Sequence, residues 1–237
     1  MKKTYFDRLD EARQYAKGRI TEELPWVLEL RGYINCYFTN TTDIFGETEI
    51  ADKSLQYQML LLISFMRTHY VLYELICISS NIEAAVLARK QIELLCRIIE
   101  LNKYDTQKLE KMTPNLSNLK LFGEEYGLLS EIAHSASFDS LDSLGFTQID
   151  DERKIYFAQP TYTENTMSLM ELYVILFIEF ILLSAGIKKQ IIPKYDSTWD
   201  LNFLMKFLTF GKENCINSLK SIDLNKFKEV FNETENS

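Results

Sequence analysis

Glycine and proline are scarce in this 237-residue chain, with 8 and 4 copies. So few turn-forming residues argue against an all-β protein and favour long helices. Histidine is rarer still, at 2 copies. The 4 cysteines, Cys36, Cys77, Cys96 and Cys215, lie far apart and no pair has metal-site spacing. A zinc site therefore has little support, and no metal or cofactor is expected. The cysteines read as buried thiols of a reducing compartment. Positive charge is also short, since the net charge is −8. That disfavours a broad nucleic-acid or anionic-membrane surface, although a local basic patch is compatible with it. There is no Walker loop, no G-x-G-x-x-G, no G-x-S-x-G and no H-E-x-x-H. The opening MKKTYFDRLDEARQYAK has no apolar run after its lysines, so it reads as an amphipathic helix and not as a signal peptide. A cytoplasmic protein is expected.

What the chain has is apolar helix. Hydrophobic residues are 46% and aromatics 13%, ample for a core, and no linker divides the chain. The expectation is an all-α fold: one domain over 1–237, a bundle of about eight helices with long central antiparallel members. Residues 4–18 form the first helix, with Gly18 breaking the run. Thr21 caps a second helix through about Phe38, and the polar stretch Asn40 to Asp52 reads as a loop. A long apolar helix follows from about Ser54 to Ser79. The short link Ser80–Asn81 then makes it an antiparallel hairpin with the next helix.

That next helix, Asn81 to Tyr104, is the element around which the rest should pack. Asn81 is a good N-cap, and apolar side chains occur on nearly every side, which marks a central helix. Arg89, Glu93 and Arg97 are set into that surface at i, i+4 spacing and need partners.

Beyond it, 104–118 reads as a connector and Leu119 to His134 as a helix. Residues 135–144 read as a loop. Two β-prone runs around Asp150–Asp151 suggest a small β-hairpin insertion at about 145–158. A capping box, Thr161 to Glu164, starts a helix that runs to about Lys189. Two further helices are expected at 198–213, capped by Ser197 or Thr198, and at 223–232, with a frayed tail at 232–237.

Met167 to Ile187 is long enough to span a bilayer, but Glu171 and Glu179 interrupt it. A carboxylate at mid-membrane costs about 2.5–3.5 kcal/mol, so the segment reads as a buried helix of a soluble bundle and no membrane contact is expected. A buried Glu179 must then be protonated or paired. Pairing of Arg89 with Glu93, Glu179 or both is expected, with His134 near the same cluster.

In the run Tyr126 to Ser135, the residues Tyr126, Ser130 and His134 recur at i, i+4, i+8 and lie along one helix face. Arg67 and His69 are two apart and point to different sides. Most plainly read, Arg89–Glu93 is an intrahelical ion pair and His134 a dipole-favoured residue near a helix C-terminus.

An arginine and glutamate four apart on an apolar helix, followed by Tyr-x3-Ser-x3-His (Tyr126, Ser130, His134), resembles uncharacterised bacterial helical proteins of HEPN-like and abortive-infection type. The resemblance spans about residues 55–185. It implies a dimeric defence or stress protein with a degenerate, metal-independent ribonuclease site. His134 would be the acid–base group and Arg89 the phosphate-binding one. Glu93, Tyr126, Ser130 and Glu179 would line the site, with RNA or a protein as partner. The sequence departs from the family's Arg-x4–6-His motif, because no arginine precedes His134 or His69 at that spacing. The alternative is a non-catalytic module for protein or small-ligand binding, in which the same polar residues lock the core.

Overall fold

The structure, a computed structural model, describes residues 3–109, 111–116, 119, 123–133, 146–149, 152–155, 162–192, 194–214, 216 and 219. His134, the 135–144 stretch, the Asp150–Asp151 turn, Cys215, the 223–232 helix and the 232–237 tail lie outside the described residues. The fold is helical. Eight helices are present among the described residues: α1 (Tyr5–Glu23), α2 (Val27–Gly46), α3 (Lys53–Cys77), α4 (Asn81–Leu101), α5 (Thr106–Leu109), α6 (Gly123–Ala133), α7 (Glu164–Ile191) and α8 (Thr198–Glu213). Strands Phe146–Ile149 and Glu152–Ile155 pair antiparallel, Phe146 opposite Ile155 and Ile149 opposite Glu152.

The early boundaries differ from those the composition suggests. Helix α1 runs straight through Gly18 and ends before Pro25, whose ring cannot continue a helix. Thr21 is inside α1, where its hydroxyl donates to the Lys17 carbonyl. Helix α2 continues through most of the expected 40–52 loop to Gly46. Its polar stretch is a solvated face. Thr41 and Phe45 extend the buried stripe of Leu30, Ile34 and Tyr37, and the Thr42 hydroxyl returns to the Phe38 and Thr39 carbonyls.

Asp52 caps α3 by accepting from the Leu55 amide. Helices α3 and α4 form the expected antiparallel hairpin, separated only by Ile78 to Ser80. Ser79 makes the reversal with φ 53°, a left-handed conformation. Ser80, not Asn81, occupies the cap of α4. The Asn81 amide is instead used across helices: it donates to the Thr163 hydroxyl and accepts from the Thr166 hydroxyl at the start of α7. The capping box of α7 is likewise displaced from Thr161–Glu164. The Thr166 hydroxyl accepts from the Thr163 amide, and the Thr166 amide donates to the Thr163 carbonyl.

Helix α4 is central. It packs on α3, α6 and α7, and only Glu83, Val86 and Lys90 along it are exposed. One apolar cluster joins α2, α3, α4, α7 and α8. Each fully buried Leu, Ile or Phe in it is worth about 1.5–3 kcal/mol of transfer free energy. Cys77 and Cys96 are buried thiols as expected, whereas Cys36 of α2 is exposed.

Two helices, α3 and α7, are long and apolar enough to cross a bilayer, by length and composition. The most apolar windows of α3 and α7 are 44% and 67% buried inside the protein.

Candidate functional site

Three of the sequence-predicted residues meet. Arg89 and Glu93 project from one face of α4, and Tyr126 reaches them from α6. Arg89 Nη2 lies 3.2 Å from Glu93 Oε1. The Tyr126 hydroxyl donates to the same carboxylate at 3.0 Å and accepts from Arg89 Nε at 3.2 Å. The guanidinium carbon sits over the Tyr126 ring, 5.4 Å from its centroid. The three groups thus bond one another in a triangle, half-buried between two helices, and Lys90 also reaches the Glu93 carboxylate at 3.7 Å. Ser130, one turn along α6, is half-buried and has no hydrogen bond among the described residues. His134 follows the last described turn. Farther along α4, Arg97 bridges to the buried Glu100 at 3.0 Å and to the Met112 carbonyl.

Glu179 is not part of this triangle. It is half-buried on α7 and, among the described residues, has neither hydrogen-bond nor ion-pair partner. The expected Arg89–Glu179 pair is therefore not formed. Arg89 is satisfied by residues of α4 and α6, and burial instead pushes the Glu179 carboxyl up to about 7.

His69 is wholly buried on α3, while Arg67 is exposed, so the two do point apart. The His69 ring stacks on Tyr173 at 3.8 Å and 8°. Its Nδ1 is 2.9 Å from Gln91 Oε1, and the Gln91 amide nitrogen donates to the Phe65 carbonyl and the Thr68 hydroxyl. Burial drives its pKa down to about 3, so the ring is neutral. This histidine is a core spacer with one fixed tautomeric contact.

The most deeply buried charges are ones that sequence reasoning did not single out. Lys188 of α7 and Asp200 of α8 are both 0% exposed and pair at 2.8 Å. Asp200 also accepts from Tyr37 at 2.6 Å and from Tyr195 at 2.7 Å, so both carboxylate oxygens are occupied. The Lys188 ammonium lies 4.6 Å from the Tyr37 ring centroid and 5.6 Å from that of Trp199. Burial lowers the Lys188 pKa, opposed by the adjacent carboxylate, and raises that of Tyr37. In the sequence Lys188 looks like a flanking lysine after an apolar run. Only the reversal at Lys194, with φ 63°, brings it against Asp200. No local pattern carries that information.

Beside this cluster lies an open groove between α2 and α8, of about 680 Å³, walled by Tyr33, Trp199 and Phe203. A smaller recess of about 340 Å³ shares Glu29, Tyr33 and Lys206 with it and continues to Phe210 and Glu213. Trp199 is fixed by stacking on Tyr37 (5.5 Å, 24°) and Phe203 (5.4 Å, 25°), yet remains 38% exposed. None of the sequence-predicted residues lines this groove. Among the described residues, no group of three or more His, Cys, Asp or Glu side chains could hold a metal ion. No protein-family model, no curated protein and no solved structure matches the chain.

Proposed function

We propose that this chain is a non-catalytic helical binding module, in which Arg89, Glu93 and Tyr126 lock α4 to α6 and the aromatic groove between α2 and α8 is the contact surface. The observation that carries this reading is that triangle. The ribonuclease alternative asks Arg89 to meet a phosphate, and a guanidinium already held by a carboxylate, a phenol oxygen and a ring face is poorly placed to do so. The aromatic, fixed, partly exposed groove between α2 and α8 has the size and lining of a binding site.

The test uses Arg89→Met. Removing the half-buried guanidinium leaves Glu93 with only the Tyr126 hydroxyl and exposed Lys90 as partners, so the denaturation midpoint should fall by an amount corresponding to about 1–3 kcal/mol. Lys53→Met, at an exposed position on α3, is the control and should leave it unchanged. Single-stranded RNA incubated with the wild-type chain should stay intact. Metal-independent cleavage that is lost in a stably folded Arg89→Met chain would overturn the reading in favour of the HEPN-like ribonuclease.

A further inference from the structure

We infer that the exposed N-terminal turns of α1 form an arm that docks into the α2–α8 groove of a second copy of this chain, and that two copies exchange arms reciprocally. The inference rests on the groove being the contact surface, and it names the occupant.

The arm is visible in how the apolar stripe of α1 is covered. Tyr5, Leu9, Ala12, Ala16 and Ile20 fall on one side at i, i+3/i+4 spacing, with Phe6 flanking Leu9. Ala16 and Ile20 are buried, and Leu9 and Ala12 are half-buried. Tyr5 and Phe6, at 48% and 72% exposure, lie beyond what covers the rest. The stripe runs off the body formed by the described residues.

A helix with so little packed on it is marginal in water, and this one is held by local devices. The Thr4 hydroxyl and the Asp7 carboxylate form a reciprocal capping box, and Lys3 bridges to Glu11. A preformed amphipathic helix with an uncovered apolar end suits helix-in-groove recognition.

The groove matches it. From Trp199 to Glu213 it follows α8 for about 21 Å at 1.5 Å per residue, and the arm from Tyr5 to Tyr15 needs about 15 Å. Its walls are aromatic, as is the arm. The charges also complement each other: Glu29 and Glu213 line the groove with Lys206, and the arm offers Arg8 against the acids and Asp10 against the lysine. Gly32 sits between the walls. A Cβ there would meet nothing within 4 Å in its own chain, so a larger side chain can be placed in the groove without disturbing α2. An arm and a groove on the same chain, both uncovered, are satisfied together when two copies exchange arms about a two-fold axis.

The test is sedimentation equilibrium of the full chain with two variants that leave the core untouched. Phe6→Asp damages the arm. Gly32→Leu fills the groove while improving helix propensity in α2. The wild type should sediment at twice 27.8 kDa at high micromolar concentration. Each variant alone should dimerise at least about tenfold more weakly, a difference of about 1.4 kcal/mol. Mixing the two should restore association to an intermediate level, because a mixed pair keeps one intact arm opposite one intact groove. If Gly32→Leu misfolds, Asn202→Arg on the exposed groove rim replaces it. A monomeric wild type, undiminished association of either variant, or no recovery on mixing would each overturn the exchange. The binding-module reading answers separately, to the RNA assay.

Discussion

Two titratable residues, wholly buried His69 and half-buried Glu179, oppose one another across the acidic range. His69 is neutral in the folded chain down to about 3, against an ordinary value of 6.5. The unfolded chain takes up that proton first, so stability is lost as pH falls from about 6.5 towards 3. Glu179 behaves in reverse. Its folded pKa is raised from 4.5 to about 7, so the folded chain takes up the proton first and stability is gained as pH falls from about 7 to 4.5. The His69 shift is worth on the order of 5 kcal/mol at most, and that of half-buried Glu179, which water screens, on the order of 3 kcal/mol or less. The wild-type stability profile between pH 4.5 and 6.5 should therefore be nearly flat. Chemical denaturation across that range should show His69→Leu gaining stability on acidification and Glu179→Gln losing it; parallel slopes for all three chains would refute the assignment. Ser79 offers a simpler residue-scale test. It is 3% exposed, its φ is 53°, and its hydroxyl has no partner among the described residues. Ser79→Gly removes both penalties and should stabilise the chain by about 1 kcal/mol, raising the melting temperature by a few degrees.

At the scale of elements, the join of α7 to α8 depends on Lys188 and Asp200. Lys188→Met leaves a carboxylate buried beside two phenols and should cost about 3–5 kcal/mol. Adding Asp200→Leu should recover much of that loss, giving a coupling energy well above 0.5 kcal/mol in the double-mutant cycle. Additive losses would show that the pair is not coupled. This join also marks where the sequence stopped being informative. The helices of the core were legible because their apolar runs are long and uninterrupted: α3, α4 and α7 fall within a few residues of their expected bounds. Polar faces were not. The stretch from Asn40 to Gly46 reads as loop by composition, although Thr41 and Phe45 keep the helical period of their neighbours. The Arg89–Glu93 pair was legible because i, i+4 contacts are local, and Tyr126 stood out by its spacing on α6. Its arrival at that pair, Asn81 bridging to α7, and Lys188 meeting Asp200 are tertiary facts. They depend on how helices far apart in sequence cross, and single-sequence periodicity does not encode that.

For the whole molecule, the polar side chains buried on α3 and α7 decide how these two helices are read, since their most apolar windows are 44% and 67% buried. His69, Gln58, Ser184 and Lys188 on these two helices are buried against partners within the fold, and a bilayer offers them none. After lysis without detergent the chain should remain in the supernatant, and flotation with phosphatidylcholine vesicles should carry none of it upward. Recovery in the vesicle layer would mean that the bundle opens. The tight reversal at Ser79 also bears on time. Because only Ile78 to Ser80 separate α3 from α4, closing that hairpin costs little chain entropy and can happen before distant helices arrive. The cluster around Lys188 and Asp200 is completed only when Tyr37 of α2, 163 residues before Asp200, arrives. Mutations between α3 and α4 should then slow folding, and mutations at the α7–α8 junction should mainly speed unfolding. Amide exchange should trace the same order, with the hairpin opening only on global unfolding and the end that carries Trp199 opening first.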